Sequence, residues 1–321
     1  MAGTFRIGDA LTLARELPDD SVDCIVTSPP YWGLRSYLAD DDPDKAKEMG
    51  AEPTLAEYVE RLVALFRELR RALKPEGVAW LNLGDSYAQS GAGMAGRNDS
   101  GREREGGGSG SGRPDGSDRK RIERRHGLKP KDLCLVPYRV ALALQDDGWY
   151  LRSHVIWAKP NPMPESVTDR PTSAHEAVFL LTKSARYWYD AEAVKEPSVI
   201  GKGAVRNIAC ANKGNGENRN DGDRFGVVND GFRNIRNVWT VATKPYSGSH
   251  YAVMPPALVE PCIKAGCPAG GLVLDPFGGS GTVGMVAESL GRRWLMFDLD
   301  QRNADLMRER TAQRSLLGLL A

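Results

Sequence analysis

Two stretches hold the residues best suited to chemistry, LVLDPFGGSGTVG at 272–284 and TSPPYW at 27–32. In the first, an apolar run that reads as a strand ends at Asp275. It then passes through Gly278, Gly279 and Gly281 into a helix start. Glycines let a backbone approach a ligand closely, and cofactors bind beyond the carboxyl ends of such strands. A nucleoside triphosphate is disfavoured. A Walker loop needs Lys after its last glycine, and Gly281 is followed by Thr282. Asp275 carries more information than the glycines. A carboxylate at the strand tip repels pyrophosphate and attracts an ammonium or a sulfonium. A second acid, Asp298, ends the next strand 23 positions on, near where an acid grips ribose hydroxyls in dinucleotide sites. A cationic, ribose-bearing molecule without phosphates suits this pair, and S-adenosyl-L-methionine is such a molecule. The plainer alternative is a structural turn with Asp275 capping a helix.

In TSPPYW an apolar run, VDCIVT, ends in a serine, two prolines and two large aromatic rings. Prolines fix φ, lack an N–H and force the chain off a sheet. The segment therefore reads as a stiff elbow after a strand. Its plainer alternative is a Pro-Pro turn with core aromatics.

These two loops need elements to position them. FRIGD reads as a strand ending at Asp9, ALTLAREL as a short helix and VDCIVTS as a second strand. A long helix is expected from about Thr54 to Leu73, because Leu55, Tyr58, Leu62, Leu65, Phe66 and Leu69 recur at three- and four-residue steps. Thr54 and Glu57 fit a capping box. GVAWLNLGD follows as a strand, with Pro75-Glu76-Gly77 as the turn before it. VPYRVALALQDDG is a helix, WYLRSHVIWAKP and EAVFLLTKS are strands, and RYWYD is a hairpin partner. Next come a helix near PPALVEPCIKAG, the strand GLVLDPF, the helix GTVGMVAESLG, the strand RRWLMFD and a helix from about Arg302. Strands alternating with helices argue for an α/β, mostly parallel sheet. Residues 90–127 read as a flexible Gly/Ser/Arg-rich insertion. From Ser90 to Lys131 there are 11 Lys and Arg against 6 Asp and Glu, a basic excess that fits phosphate contact. Residues 191–236 are irregular and rich in Asn and Gly.

The 321 residues carry a net charge of +1, so any contact with a polyanion must come from local clustering. No apolar run of ~18 residues is present, so no membrane span is expected. The N-terminus shows no basic-then-apolar leader pattern. Five cysteines without framework spacing point to a reducing cytosol. The four scattered histidines and the lone pair Cys262 and Cys267 make a structural zinc site improbable, and no metal is expected.

Taken together, DPFGGSGT at 275–282 and TSPPYW at 27–32 resemble the amino-methyltransferases of DNA. GDA at 8–10, WLNLGDSY at 80–87, IWAKPNPMPESVTDRP at 156–171 and HYAVMPPALVEPCI at 250–263 extend that resemblance over most of the chain. The catalytic motif precedes the cofactor motif, which looks like the family's β-type circular permutation. The resemblance implies one catalytic domain over 1–321. Its fold would be α/β, a Rossmann-like seven-stranded, mostly parallel sheet with one reversed strand, as in class I methyltransferases.

The resemblance also implies roles. Residues 275–282 (Asp275, Pro276, Phe277, Gly278, Gly279, Ser280, Gly281, Thr282) would form the S-adenosyl-L-methionine loop, with Asp298 behind it. Asp9 would contact the cofactor's adenine amine, or simply cap ALTLAREL. His250 and Tyr251 would border the methionine end, although His250 could be an ordinary loop residue. In the catalytic loop of Ser28, Pro29, Pro30 and Tyr31, the Ser28 hydroxyl and Pro29 carbonyl would accept from the target amine. Tyr31 would stack on a base flipped out of double-stranded DNA. Trp32 would pack behind Tyr31 or line the cofactor pocket. Trp157, Lys159 and Asn161 would line the base pocket, with strand-end packing equally open for Trp157.

Serine at the first motif position is associated in that family with N4-cytosine and aspartate with N6-adenine, although a neutral acceptor can serve either amine. Other readings are an RNA or protein methyltransferase, whose loop often begins with Asn, and a non-catalytic DNA-binding module. Residues 191–236, with Lys195, Lys202, Arg206, Lys213, Arg219, Arg224, Arg233 and Arg236, form a candidate target-recognition region. Pro261-Cys262 looks like the nucleophile pair of carbon-5 cytosine enzymes, but inside a helix Cys262 reads as a buried apolar residue. No nuclease motif is present, so the chain is expected to modify without cutting. A cognate restriction endonuclease is its possible protein partner.

Overall fold

The structure is a computed structural model that describes residues 3–34, 37–39, 41–88, 128–198, 230–243 and 254–308, with backbone alone for 205–207 and 226–228. Its main elements are β1 (Thr4–Ile7), α1 (Ala10–Arg15), β2 (Val22–Thr27), α2 (Leu55–Ala72), β3 (Leu73–Leu83), α3 (Val136–Asp146), β4 (Tyr150–Ala158) and β5 (His175–Thr182). They are followed by β6 (Val238–Thr240), α4 (Pro256–Gly266), β7 (Leu272–Asp275), α5 (Thr282–Ser289), β8 (Arg293–Asp298) and a helix α6 over 301–308.

Among the described residues these strands form one sheet in the order β1-β8-β7-β2-β3-β5-β4-β6. All pairings are parallel except those of β5, which runs against both β3 and β4. Both faces of the sheet are covered, so the central strands are apolar throughout, and all six residues of β2 are buried. Period-two alternation divides their side chains between two cores. Ile25, Ala79, Leu81 and Leu83 face the layer of α1, α2 and α3. Cys24, Val26, Val78 and Trp80 face the layer of α4 and α5.

The α2 helix is fixed by its sequence. Thr54 caps it, its hydroxyl accepting from Glu57 N at 3.2 Å, a cap that contributes about 1 kcal/mol. Its stripe of Leu55, Tyr58, Leu62, Leu65, Phe66 and Leu69 is buried, each side chain stabilising by about 1.5–3 kcal/mol relative to exposure. Asp23, buried within β2, pairs with Lys74 at 2.6 Å and accepts from Leu272 N at 2.8 Å. It thereby staples three neighbouring strands.

Four expectations change. The sheet has an eighth strand, because Val238–Thr240 adds in parallel to β4 and seats Trp239 against Trp80, ring centroids 5.9 Å apart. Pro75-Glu76-Gly77 is a bulge inside β3, since Leu73 already pairs with Val22 before Val78 pairs with Cys24. RYWYD is no hairpin strand. It crosses the sheet end, with Trp188 N donating to Glu76 O and Asp190 N to Ala265 O. The segment 191–236 is partly regular: Glu196–Pro197 pairs with Phe232–Arg233, and Val205–Asn207 with Gly226–Val228, both antiparallel. The 90–127 insertion lies outside the described residues.

Candidate active site

The strands β2 and β7 are neighbours, with Val273 opposite Cys24 and Leu274 opposite Ile25. Their carboxyl ends therefore deliver the Ser28 loop and the Asp275 loop to one rim of the sheet. A cleft of about 1020 Å³, counting its open mouth, lies there. It is lined from the ends of β1, β2, β7 and β8, at the crevice where cofactors bind in open α/β sheets.

The loop after β7 is built by local hydrogen bonds. Asp275 Oδ1 accepts from Phe277 N at 3.0 Å and from the Thr27 hydroxyl at 2.7 Å. Gly278 N reaches Phe297 O at 2.7 Å, and Gly281 N reaches Gly278 O at 2.8 Å. Gly281 sits at φ 81° with Met307 Cα only 3.3 Å from where a Cβ would be, so only glycine fits the turn into α5. Gly279, Gly281 and Gly284 stand at G-x-G-x-x-G spacing, which dinucleotide sites also use. What separates this loop from a pyrophosphate site is its charge: among the described residues, Asp9, Glu48, Asp275, Asp298 and Asp300 line the cleft against one cation, Lys47. That wall suits a cationic ligand without phosphates. Burial raises the Asp275 carboxyl to about 7, against the bonds from Thr27 and Phe277 that lower it.

Asp298 does more than its position promised. Its Oδ2 accepts from Gly279 N at 2.8 Å, and its Oδ1 from Asp300 N and Asn303 Nδ2, each at 2.9 Å. It holds the glycine turn in place while lining the cleft. Asp9 likewise both lines the cleft and caps α1, its Oδ2 accepting from Thr12 N at 2.9 Å.

The Ser28 loop is anchored from behind. The buried Tyr58 donates to Pro30 O at 2.9 Å, while among the described residues no donor reaches the Pro29 carbonyl. Ser28 and Pro30 line the cleft together with Gly278 and Gly279. Ser28 Oγ donates to Tyr31 Oη at 3.2 Å, and Tyr31 Oη donates to Glu176 Oε2 at 2.6 Å. Asn82 joins them, its Nδ2 donating to Glu176 Oε2 at 3.1 Å and to Ala177 O at 3.2 Å. The Tyr31 ring rests on Gly84, where a Cβ would come within 2.5 Å of Cε2.

Pro29 is buried, and neither it nor Tyr31 lines the cleft; other expected residues are also placed differently. Trp32 is buried in the α2-side core with its Nε1 donating to Glu52 O at 3.0 Å, and it does not line the cleft. It takes the packing alternative, because the turn after Pro30 directs it under the loop. Trp157 is buried too, donating to Val241 O at 2.8 Å, so strand-end packing describes it. Lys159 lies over the Trp157 ring, 4.5 Å from its centroid, and pairs with Glu176 Oε1. Asn161 is a loop staple, its amide exchanging hydrogen bonds with the Thr243 backbone at 2.9 and 3.0 Å. His250 and Tyr251 lie outside the described residues. Of the basic recognition candidates, Lys195 pairs with Glu192 and Asp230, while Arg233 and Arg236 share Glu196. The side chains at 202–224 lie outside the described residues. Cys262 is buried in α4, its thiol donating to Leu258 O at 3.3 Å, and burial pushes its pKa far up, which suits a packing residue and not a nucleophile.

Sequence reasoning missed Thr27, Asn82 and Glu176. It also missed the cleft wall formed by Tyr37–Leu38, Lys47–Met49, Met254 and Asn303. Glu176 left a faint signal as a carboxylate at the start of the otherwise apolar run AVFLL.

Residues 22–309 match the family model described as DNA methylase, N6/N4 type. The chain is 43% identical over 303 residues to the type II methyltransferase M.Cfr9I of Citrobacter freundii, spanning 94% of this chain and 85% of that protein. It is 42% identical to M.SmaI of Serratia marcescens, spanning 96% and 90%. Among solved structures it resembles the PvuII DNA methyltransferase (cytosine-N4-specific), with TM-score 0.62 at 18% identity over 97% of this chain and 86% of that one. A putative DNA modification methylase of Thermus thermophilus, solved with S-adenosyl-L-methionine, gives TM-score 0.56 at 20% identity, over 97% and 94%. These two likenesses show the fold. The chain belongs to the N6/N4 DNA methylase family, in the permuted order with the catalytic motif first. Its activity is S-adenosyl-L-methionine-dependent DNA methylation.

Proposed function

We propose that the protein methylates the exocyclic N4 amine of cytosine in double-stranded DNA. The observation that carries this reading is Ser28 at the first motif position, lining one cleft with Gly278 and Gly279, beside the buried Pro29, whose carbonyl meets no donor among the described residues. When bound, S-adenosyl-L-methionine supplies a methyl group on a positively charged sulfur. The protein's task is to orient the nitrogen. An aromatic amine is a poor nucleophile, because its lone pair is delocalised into the ring. Two fixed acceptors, one for each amine hydrogen, favour a pyramidal nitrogen with its lone pair aimed at the methyl group. Ser28 Oγ and Pro29 O are those acceptors, and Tyr58 holds the elbow rigid by bonding the next carbonyl.

The base must leave the duplex, at a cost of about a few kcal/mol. Stacking on Tyr31 returns about 1–3 kcal/mol. The fold is shared with the cytosine-N4-specific PvuII enzyme, with which the cytosine reading agrees. The segment 191–236 is the proposed recognition region. A cognate endonuclease fits the type II relatives, and DNA as substrate fits a cytoplasmic enzyme. Among the described residues, no helix is long and apolar enough to cross a membrane.

The test is to methylate plasmid DNA, digest it to nucleosides and identify the product by mass spectrometry. N4-methylcytosine is expected, and N6-methyladenine would overturn the base assignment. Ser28→Ala with wild-type turnover and intact cofactor binding would remove the proposed role of Ser28.

A further inference from the structure

The hydroxyl chain behind Ser28 ends on a carboxylate, and that end determines what Ser28 can do. Tyr31 has one hydroxyl hydrogen. Glu176 Oε2 lies 2.6 Å from Tyr31 Oη, whereas Asn82 Oδ1 lies 3.2 Å away. A short bond to a charged acceptor is the stronger of the two, so the hydrogen goes to Glu176. Tyr31 Oη can then only accept from Ser28, whose hydrogen it takes at 3.2 Å. Ser28 Oγ is left with lone pairs alone to offer the cleft. Glu176 cannot reverse this order, because its Oε2 also receives Asn82 Nδ2 and its Oε1 receives Lys159. Its side chain is 14% exposed and that of Lys159 18%, so solvent has little access to the pair.

We propose that Glu176 is a positioning and specificity-determining residue: it polarises the chain Ser28–Tyr31–Glu176 so that Ser28 can only accept. The pocket then admits a base that brings an amine to Ser28 and refuses one that brings a carbonyl, as uracil or thymine would. The proposal rests on the assignment of Ser28 as the amine acceptor. Lys159, expected to line the base pocket, instead keeps the carboxylate in place from its far side.

The experiment uses the full-length protein with unmethylated plasmid DNA and radiolabelled S-adenosyl-L-methionine. Glu176→Gln should lower kcat about 100-fold, as expected when a reacting group loses its orientation. Cofactor Kd should stay within about twofold. Glu176→Asp, which keeps an acceptor-only end, should retain more activity than Glu176→Gln. Tyr31→Phe should lower kcat as well, and Tyr31→Phe/Glu176→Gln should be no worse than Tyr31→Phe alone, because the chain is already cut. If Glu176 served only to neutralise Lys159, Lys159→Met/Glu176→Gln would recover activity. Recovery there, additive losses in the Tyr31 double variant, or wild-type kcat in Glu176→Gln would each overturn the proposal. Ser28→Ala run in parallel separates the two levels. An active Ser28→Ala sinks the acceptor assignment itself, whereas an inactive Ser28→Ala with an active Glu176→Gln sinks only the role of Glu176.

Discussion

The Thr27 hydroxyl donates to Asp275 Oδ1 at 2.7 Å, across 248 positions of sequence. It joins the last residue of β2 to the last residue of β7. The two loops are thus set against each other by a buried bond as well as by strand pairing. Thr27→Val removes the donor and leaves Asp275 with the Phe277 N–H alone. Cofactor binding at pH 7 should weaken about tenfold, the size of a charge-assisted bond of roughly 1.5 kcal/mol. Thr27 lowers the Asp275 pKa, so the gap from wild type should narrow as pH rises. Calorimetric titration at pH 7 and pH 9 checks this, and equal gaps at both would contradict it.

Asp275 itself links stability to pH. Its carboxyl moves from an ordinary 3.8 to about 7 on folding, chiefly through burial. Between those values the folded protein binds more protons than the unfolded one. The contribution of Asp275 is therefore most favourable below about pH 4 and declines as pH rises to about 7, by up to roughly 4 kcal/mol. Asp275→Asn should unfold later in urea than wild type at pH 8 and lose this advantage toward pH 4.5. It should also fail to bind cofactor. Parallel urea curves for the two proteins at every pH would refute the account.

Gly84 offers a way to move Tyr31, and with it the bond from Ser28, without substituting either residue. A methyl group there would stand 2.5 Å from Tyr31 Cε2. Gly84→Ala should reduce kcat at least about tenfold by displacing the ring, with cofactor affinity unchanged. Single-turnover assays alongside calorimetry would separate the two quantities.

Cys262→Ser tests the carbon-5 alternative. The new hydroxyl can keep the bond to Leu258 O that the thiol makes at 3.3 Å. Turnover should stay within about twofold, at a stability cost of roughly 1 kcal/mol. A dead but folded variant would reopen nucleophilic catalysis by the thiol.

The legible parts of this molecule were those where one residue type answers to one physical demand. Apolar periodicity placed α2 within a residue at each end, because a stripe of leucines at three- and four-residue steps has one stable outcome. Glycines and an acid at a strand tip marked a loop that does line the cleft. The eighth strand was missed because Val238–Thr240 spans three residues, too few for alternation to register. Trp32 and Trp157 could not be assigned from sequence, since an indole at a strand end serves a core and a base pocket equally well. The roles of Glu176 and Thr27 come from bonds to residues 145 and 248 positions away, which no local pattern encodes.

The chain between β5 and β6 closes on itself soon after leaving the sheet, through Glu196 opposite Arg233 and Pro197 opposite Phe232. A loop tied at its neck transmits little strain to its mount. If 191–236 reads DNA as proposed, a relative's segment grafted beyond that neck is expected to change which site is methylated while cofactor affinity at the opposite rim stays the same.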